Sequence, residues 1–322
     1  MTNKLKLIWS IVVVLFLVVA VVVYIIEVEG KDELQGRLVF ADTYDVGEKI
    51  DKIVIKTTED EVVLVQKNSY WLLDKMGGYF ADFKQVYNFL TSINQSVYSV
   101  KLPYNEENVK SNYLLSPLED KENSGMLITT YVGDNVIDKV IVGLSNGDNY
   151  FWARRPNVEE VWLVNGNFNL PIYQYHWLLN PVLSIVDEVI EEINVGDNKI
   201  SRKDGKDVFT DKDGNHVNTK VLLDIISDVK AINVLTEDEF KKVYTDSVKV
   251  KYIDFVTFFG LKIVCNVYYD EKNTWLNVDL ITTPLPKTSV NDYIKDNNFL
   301  YKGWYFKLKP EQGSVLQNFN LI

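Results

Sequence analysis

The chain has 322 residues, 47% of them hydrophobic and 13% aromatic, and a formal net charge of −11. That apolar share is ample for one to three packed domains, and the acidic balance excludes a nonspecific nucleic-acid binder, which needs a basic face to displace counterions. A single cysteine, Cys265, excludes a fold that relies on an internal disulfide.

From the start of the chain, Leu7 to Ile26 departs from Leu, Ile, Val and Phe only at Trp9, Ser10, Ala20 and Tyr24. As a helix rising about 1.5 Å per residue, this stretch matches a hydrocarbon core of roughly 30 Å. A cleaved signal peptide would need a small-residue cleavage pattern, and Val23 to Glu29 has none. Lys4 and Lys6 precede the stretch, and Glu27 and Glu29 follow it. The positive-inside rule then gives a cytoplasmic N-terminus at 1–6, a transmembrane signal anchor at 7–26 and an extracytoplasmic body from 27. Residues 27–49 are polar, of mixed charge and without a period, and read as a juxtamembrane stalk with a short strand at Leu38–Phe40.

A first unit is expected over 50–175. Ile50–Ile55 alternates as a half-buried strand does, and Glu61–Gln66 is rich in β-branched residues. Trp71-Leu-Leu and the turn Asp74–Gly78 lead to a helix with Asp82 at its N-cap and Val86, Phe89, Leu90 and Ile93 on one face. Met126–Tyr131, Lys139–Val142, Tyr150–Arg154 and Val161–Val164, separated by Gly/Asn/Asp turns, predict an antiparallel meander.

The apolar stretch from Ile172 to Val189, interrupted by Pro181, reads as a helical connector, with 176–189 between the units. A second unit follows over 190–285. Ile190–Val195 repeats the pattern of Ile50–Ile55, Asp211-Lys-Asp-Gly214 that of Asp74-Lys-Met-Gly77, and Asn218 stands where Asp82 did. Chance similarity of short amphipathic patterns is the competing explanation. Ser247–Ile253, Phe255–Phe259, Leu261–Tyr269 and Thr274–Leu280 are strand-like. Residues 286–322 add a short helix at Val290–Asn298 and a closing strand at Gly303–Leu308. The expected fold class is α+β: an N-terminal transmembrane helix, then two repeated antiparallel sheet-plus-helix units.

This order of motifs resembles the domain-of-unknown-function 4340 family of bacterial envelope proteins. The likeness rests on Trp71, Ala81-Asp82, Tyr113-Leu-Leu-Ser-Pro117, Ile141-Val-Gly143, Gly147 to Tyr150 with Arg154, and Val161-Trp-Leu-Val164. The family's Gly and acid are absent from the Tyr113–Pro117 stretch. The resemblance implies a single-span bacterial envelope protein with no established enzyme activity and no known catalytic residues; the expected location is the inner membrane, and no cofactor is expected. It also implies a membrane-protein partner, with ABC-type transport components as one class.

Chemical motifs are sparse. Gly143-Leu-Ser145-Asn-Gly147 matches a nucleophile elbow, which needs a helix after the Ser; another strand follows, so a hairpin turn is the better reading. Asp211-Lys-Asp213-Gly-Asn215 has its Gly too early for a calcium loop. His176 and His216 are the only histidines; nothing pairs either with Ser145, and His176, between Tyr175 and Trp177 in the apolar connector, has no second ligand nearby. Arg154-Arg155 beside Tyr150 and Trp152 is the nearest approach to a recognition patch, since Arg and aromatics are enriched at interface hot spots. The expectation is a non-enzymatic protein that binds a partner through Tyr150, Trp152, Arg154 and Arg155. The alternative is a ligand- or glycan-binding cleft marked by exposed aromatics among Tyr150, Trp152, Trp162 and Trp177.

Overall fold

A computed structural model describes residues 16–19, 32–168, 171–203, 205–244 and 248–321. The first half builds α1 (Ala41–Val46), β1 (Lys52–Lys56), β2 (Glu61–Lys67), β3 (Tyr70–Leu73), β4 (Tyr79–Phe80), α2 (Phe83–Gln95), β5 (Val97–Leu102), α3 (Glu106–Ser111), β6 (Met126–Val132), β7 (Asn135–Ser145), β8 (Tyr150–Arg154) and β9 (Val161–Asn165). The second builds β10 (Ile190–Val195), β11 (Asn198–Ser201), β12 (Phe209–Thr210), β13 (His216–Val217), α4 (Lys220–Ile226), β14 (Ala231–Thr236), α5 (Glu237–Val243), β15 (Lys249–Thr257), β16 (Leu261–Tyr269), β17 (Thr274–Thr282), α6 (Thr288–Asn297), β18 (Trp304–Leu308) and α7 (Pro310–Asn318).

The strands form two nine-stranded antiparallel sheets, ordered β4-β3-β2-β1-β6-β7-β8-β9-β5 and β13-β12-β11-β10-β15-β16-β17-β18-β14. Counted from its own first strand, each sheet has the same order. A helix follows the fourth strand of each (α2 and α4), and another follows the fifth (α3 and α5).

The expected fold class needs correction. Strand outweighs helix, 39% to 27%, so the protein is mostly two large sheets with some helices rather than a balanced α+β body. No helix among the described residues is long and apolar enough to cross a membrane. The transmembrane helix, the signal anchor and the inner-membrane location built on them are not supported. Of the segment 7–26, residues 16–19 are helical, and the rest lies outside the described residues.

Two compact units emerge. One holds the described residues of Met1–Lys49 together with Phe89–Leu170; the other holds Ile50–Asn88 and Pro171–Ile322. In the first, the segment read as a stalk packs onto the domain. Val39 N–H donates to Ser96 O (2.9 Å) and Gly36 N–H to Tyr98 O (2.8 Å), so residues 36–39 cover part of the β5 edge. Val109, Leu114, Leu127, Ile141 and Val161 form a core under α3. In the second unit, Phe240, Trp275 and Tyr305 form the corresponding core under α5. There Tyr79 from β4 stands edge-on against Trp304 (5.1 Å) and Phe306 (5.3 Å).

The connector over 172–189 is not a helix. Its backbone groups are satisfied by other elements, as buried groups must be: Leu179 N–H donates to Phe80 O (3.0 Å), Val182 N–H to Val229 O (2.8 Å) and Ile185 N–H to Ile226 O (3.0 Å). Short 3-10 turns at Gln174–Trp177 and Asp187–Val189 are its only helical parts. Asp254, between the expected strands Ser247–Ile253 and Phe255–Phe259, lies within the continuous strand β15 and pairs with Lys262 at 2.6 Å.

Candidate functional site

An apolar concavity lies within the second unit, and its first wall is a turn. Strand β15 ends at Thr257, and Gly260 reverses the chain with φ +87°, a conformation that favours glycine. Gly260 N–H donates to Thr257 O (2.9 Å). A Cβ on Gly260 would stand 2.6 Å from Pro286 Cα and 2.7 Å from Thr283 Oγ1. The loop 283–287 therefore lies directly on this turn, held by Thr283 N–H to Gly260 O (2.9 Å) and Lys287 N–H to Phe259 O (2.8 Å). That anchorage sets α6 beside the strand ends.

The opposite wall is Leu183 to Val186, fixed by Ile185 N–H to Ile226 O and by Ser184 Oγ to Ser227 O (2.8 Å). Ile263, Leu280, Val290 and Thr257 form a buried floor. The enclosed space is about 350 Å³, at the small end of the roughly 300–1,000 Å³ typical of ligand sites. Tyr301 also lines it, and burial, with Tyr293 nearby, pushes its phenol up to about 12. At neutral pH it is a protonated hydroxyl and can donate one hydrogen bond. The rim is apolar and open, with the lining residues Val186, Phe259 and Tyr293 exposed; outside the lining, on the adjoining loop, Leu285 between two prolines is 92% exposed. Exposed apolar residues gathered at a concavity mark an interaction site, unlike the same residues scattered singly.

The first sheet shows what the equivalent place looks like when filled. Thr130 on β6 pairs with Asp138 on β7, and both face away from the α3 core, which takes Leu127 and Ile141. In the second sheet Phe255 pairs with Ile263 and Ile263 with Leu280, again facing away from the α5 core. Both sets sit on the same face, towards the same end of the same hairpin. In the first sheet α1 closes the place: Thr43 donates to Asp138 Oδ2 through N–H and Oγ1, each 2.8 Å, and shares a 2.7 Å bond with Thr130 Oγ1. Arg155, from the connection after the eighth strand, donates to Asp138 Oδ1 (2.7 Å) and to Val39 O (2.8 Å).

These bonds also locate the patch read from the sequence. Tyr150 is exposed at the start of β8, whereas Trp152 is half-buried against the α3 core. Arg154 is buried, and its Nε donates to Leu114 O at 2.6 Å. Arg155 is committed to Asp138 and Val39. Tyr150, Trp152, Arg154 and Arg155 therefore do not share an exposed surface. Of the other aromatics, Trp162 and Trp177 are fully buried.

The remaining motifs resolve as turns. Ser145 Oγ donates to Gly147 O (2.8 Å). Asp211 accepts from Asn215 Nδ2 (3.0 Å) and from the N–H groups of Asn215 (2.8 Å) and Asp213 (2.9 Å), and these bonds, the side-chain one foremost, lower its carboxyl pKa. His176 is exposed on its 3-10 turn, 4.1 Å from the Tyr175 ring. Among the described residues, no three or more His, Cys, Asp and Glu side chains gather as a metal site.

The cleft residues escaped the sequence reading because they come from five separated stretches. The one local signal is Thr283-Pro-Leu-Pro-Lys287, a leucine held between prolines where a strand passes to a helix. No protein-family model, curated protein or solved structure matches this chain. The resemblance read from the motifs between Trp71 and Val164 rests on the sequence alone.

Proposed function

We propose that this chain is a non-enzymatic binding protein whose second unit receives an apolar ligand in the cleft between Leu183–Val186, the Gly260 turn and α6. One observation carries the reading. The place that α1 closes in the first sheet stands open in the second, lined by aliphatic and aromatic side chains and ringed by exposed apolar residues. Each methylene that enters contributes about 0.8 kcal/mol, and the Tyr301 hydroxyl offers one polar anchor. A partner held through Arg154 and Arg155 finds less support, since both guanidinium groups are engaged internally.

The test uses a neutral environment-sensitive dye, N-phenyl-1-naphthylamine. Its fluorescence should rise with the full chain. The rise should disappear in Leu261→Trp and Ser184→Trp, which fill the cleft from two walls, with unfolding midpoints close to that of the parent. Dye binding indifferent to both substitutions would place the apolar site elsewhere and defeat the proposal.

A further inference from the structure

We infer that the cleft takes a single-chain anionic amphiphile, a medium-chain carboxylate whose tail lies among the aliphatic walls and whose head meets Lys287. The inference rests on the binding reading above.

No charged side chain lines the cleft, so the enclosed part of the ligand is uncharged. At its mouth stands Lys287. Its backbone is pinned to Phe259 O, and its ammonium lies 4.4 Å from the centroid of the Phe259 ring, itself a lining group. Several cations of the second unit are matched by the chain's own acids: Lys262 pairs with Asp254, Arg202 with Asp187 and Lys230 with Asp228. Lys287 pairs with no carboxylate of the described residues. The hydroxyl of Ser289, two residues on, also lines the cleft.

The first sheet supplies the template. There the connection after the eighth strand brings a cation, Arg155, to a carboxylate, Asp138, which projects from the floor of the closed site. In the second sheet the same connection, residues 283–303, brings Lys287. The floor now carries Ile263 and Leu280 instead of an acid. The second sheet thus has a cation at this connection with no carboxylate facing it from the floor, in a site that is apolar and open. A ligand with an aliphatic tail and a carboxylate supplies both missing parts. The cleft's modest size favours one chain of medium length over a two-chain lipid.

The experiment is displacement of N-phenyl-1-naphthylamine from the full chain by decanoate and by decanol, which share a tail and differ in head group. Decanoate should displace the dye at about tenfold lower concentration, the size of one charge-assisted hydrogen bond. In Lys287→Gln that advantage should vanish while decanol performs as before. Equal displacement by the two in the parent chain, or an advantage that survives Lys287→Gln, overturns the assignment of ligand class and leaves the apolar cleft standing. Absence of dye binding in the parent removes the binding reading and this inference together.

Discussion

Arg155 holds Asp138 at 2.7 Å, with the Asp138 side chain wholly out of solvent and that of Arg155 31% exposed. Asp138 also accepts two bonds from Thr43, so one carboxylate ties α1, β7 and the end of β8 together. A buried carboxylate is tolerated only when paired and hydrogen-bonded. Arg155→Met should therefore destabilise the first unit by about 3 kcal/mol, towards the lower end for a broken buried pair because Arg155 is partly exposed. Urea denaturation followed by far-UV circular dichroism reads this directly. A midpoint unmoved by the substitution would mean that the pair contributes little.

Gly143 lies where the 112–114 segment crosses the sheet. A Cβ there would stand 2.1 Å from Asn112 O and 2.9 Å from Leu114 Cδ2. The same segment is held by Leu144 N–H to Asn112 O (3.1 Å) and by Arg154 Nε to Leu114 O. Backbone cannot retreat as a flexible side chain can, so Gly143→Ala should cost about 2–3 kcal/mol. Arg154→Met strands a buried carbonyl and should cost about 1–3 kcal/mol. Because both act on one segment, the double variant should lose less than the sum of the two. Full additivity in a denaturation cycle would contradict a shared role.

What could be read from the sequence was local. The alternation at Ile50–Ile55 and the β-branched run at Glu61–Gln66 became β1 and β2. The Asp82 cap, with Gln85 N–H donating to its Oδ1 at 3.1 Å, opens α2. Tertiary arrangement was not readable. The apolar run at 172–189 lacks a period because its backbone bonds go to distant partners such as Val229 and Ile226. Helix α7 was missed because Gly313 breaks its pattern; a Cβ there would press on Thr274 Oγ1 at 2.4 Å. Arg154 and Arg155 look like surface charges in sequence, since nothing local reveals that Leu114 O and Asp138 await them. The cleft is a product of register and loop length, which no single stretch encodes.

Asp60 gives the protein an acid-sensitive clasp in its second unit. Burial raises the pKa of this carboxyl. The lowering bonds outweigh burial: Gln174 N–H at 2.9 Å, Gln174 Nε2 at 3.1 Å and Glu61 N–H at 2.8 Å. The folded value therefore lies below that of the unfolded chain. Its stabilising contribution is present above the ordinary carboxylate range and is lost as pH falls through the depressed folded value. Glu61, held by Lys75 and Lys56, shifts in the same direction. Asp60→Asn should flatten the acid limb of the stability–pH curve below about pH 4. An unchanged acid limb would show that the docking of Gln174 does not depend on the charge.

Cys265 tests how far the cleft reaches inward. Its thiol is buried on β16, on the same face as Ile263, and burial pushes its pKa well above the ordinary range. Both effects suppress the reactive thiolate. A thiol-reactive reagent at neutral pH should therefore leave the native chain unmodified and label it at once in denaturant. Tyr301, which lines the cleft, lies near Cys265. Fast native labelling, suppressed by Leu261→Trp, would thus show that the cleft opens past Ile263 as far as Cys265 and admits a longer tail than its static volume suggests. Slow labelling with the unfolding rate as its limit would fix the floor at Ile263 and Leu280, and with it the upper bound on ligand length.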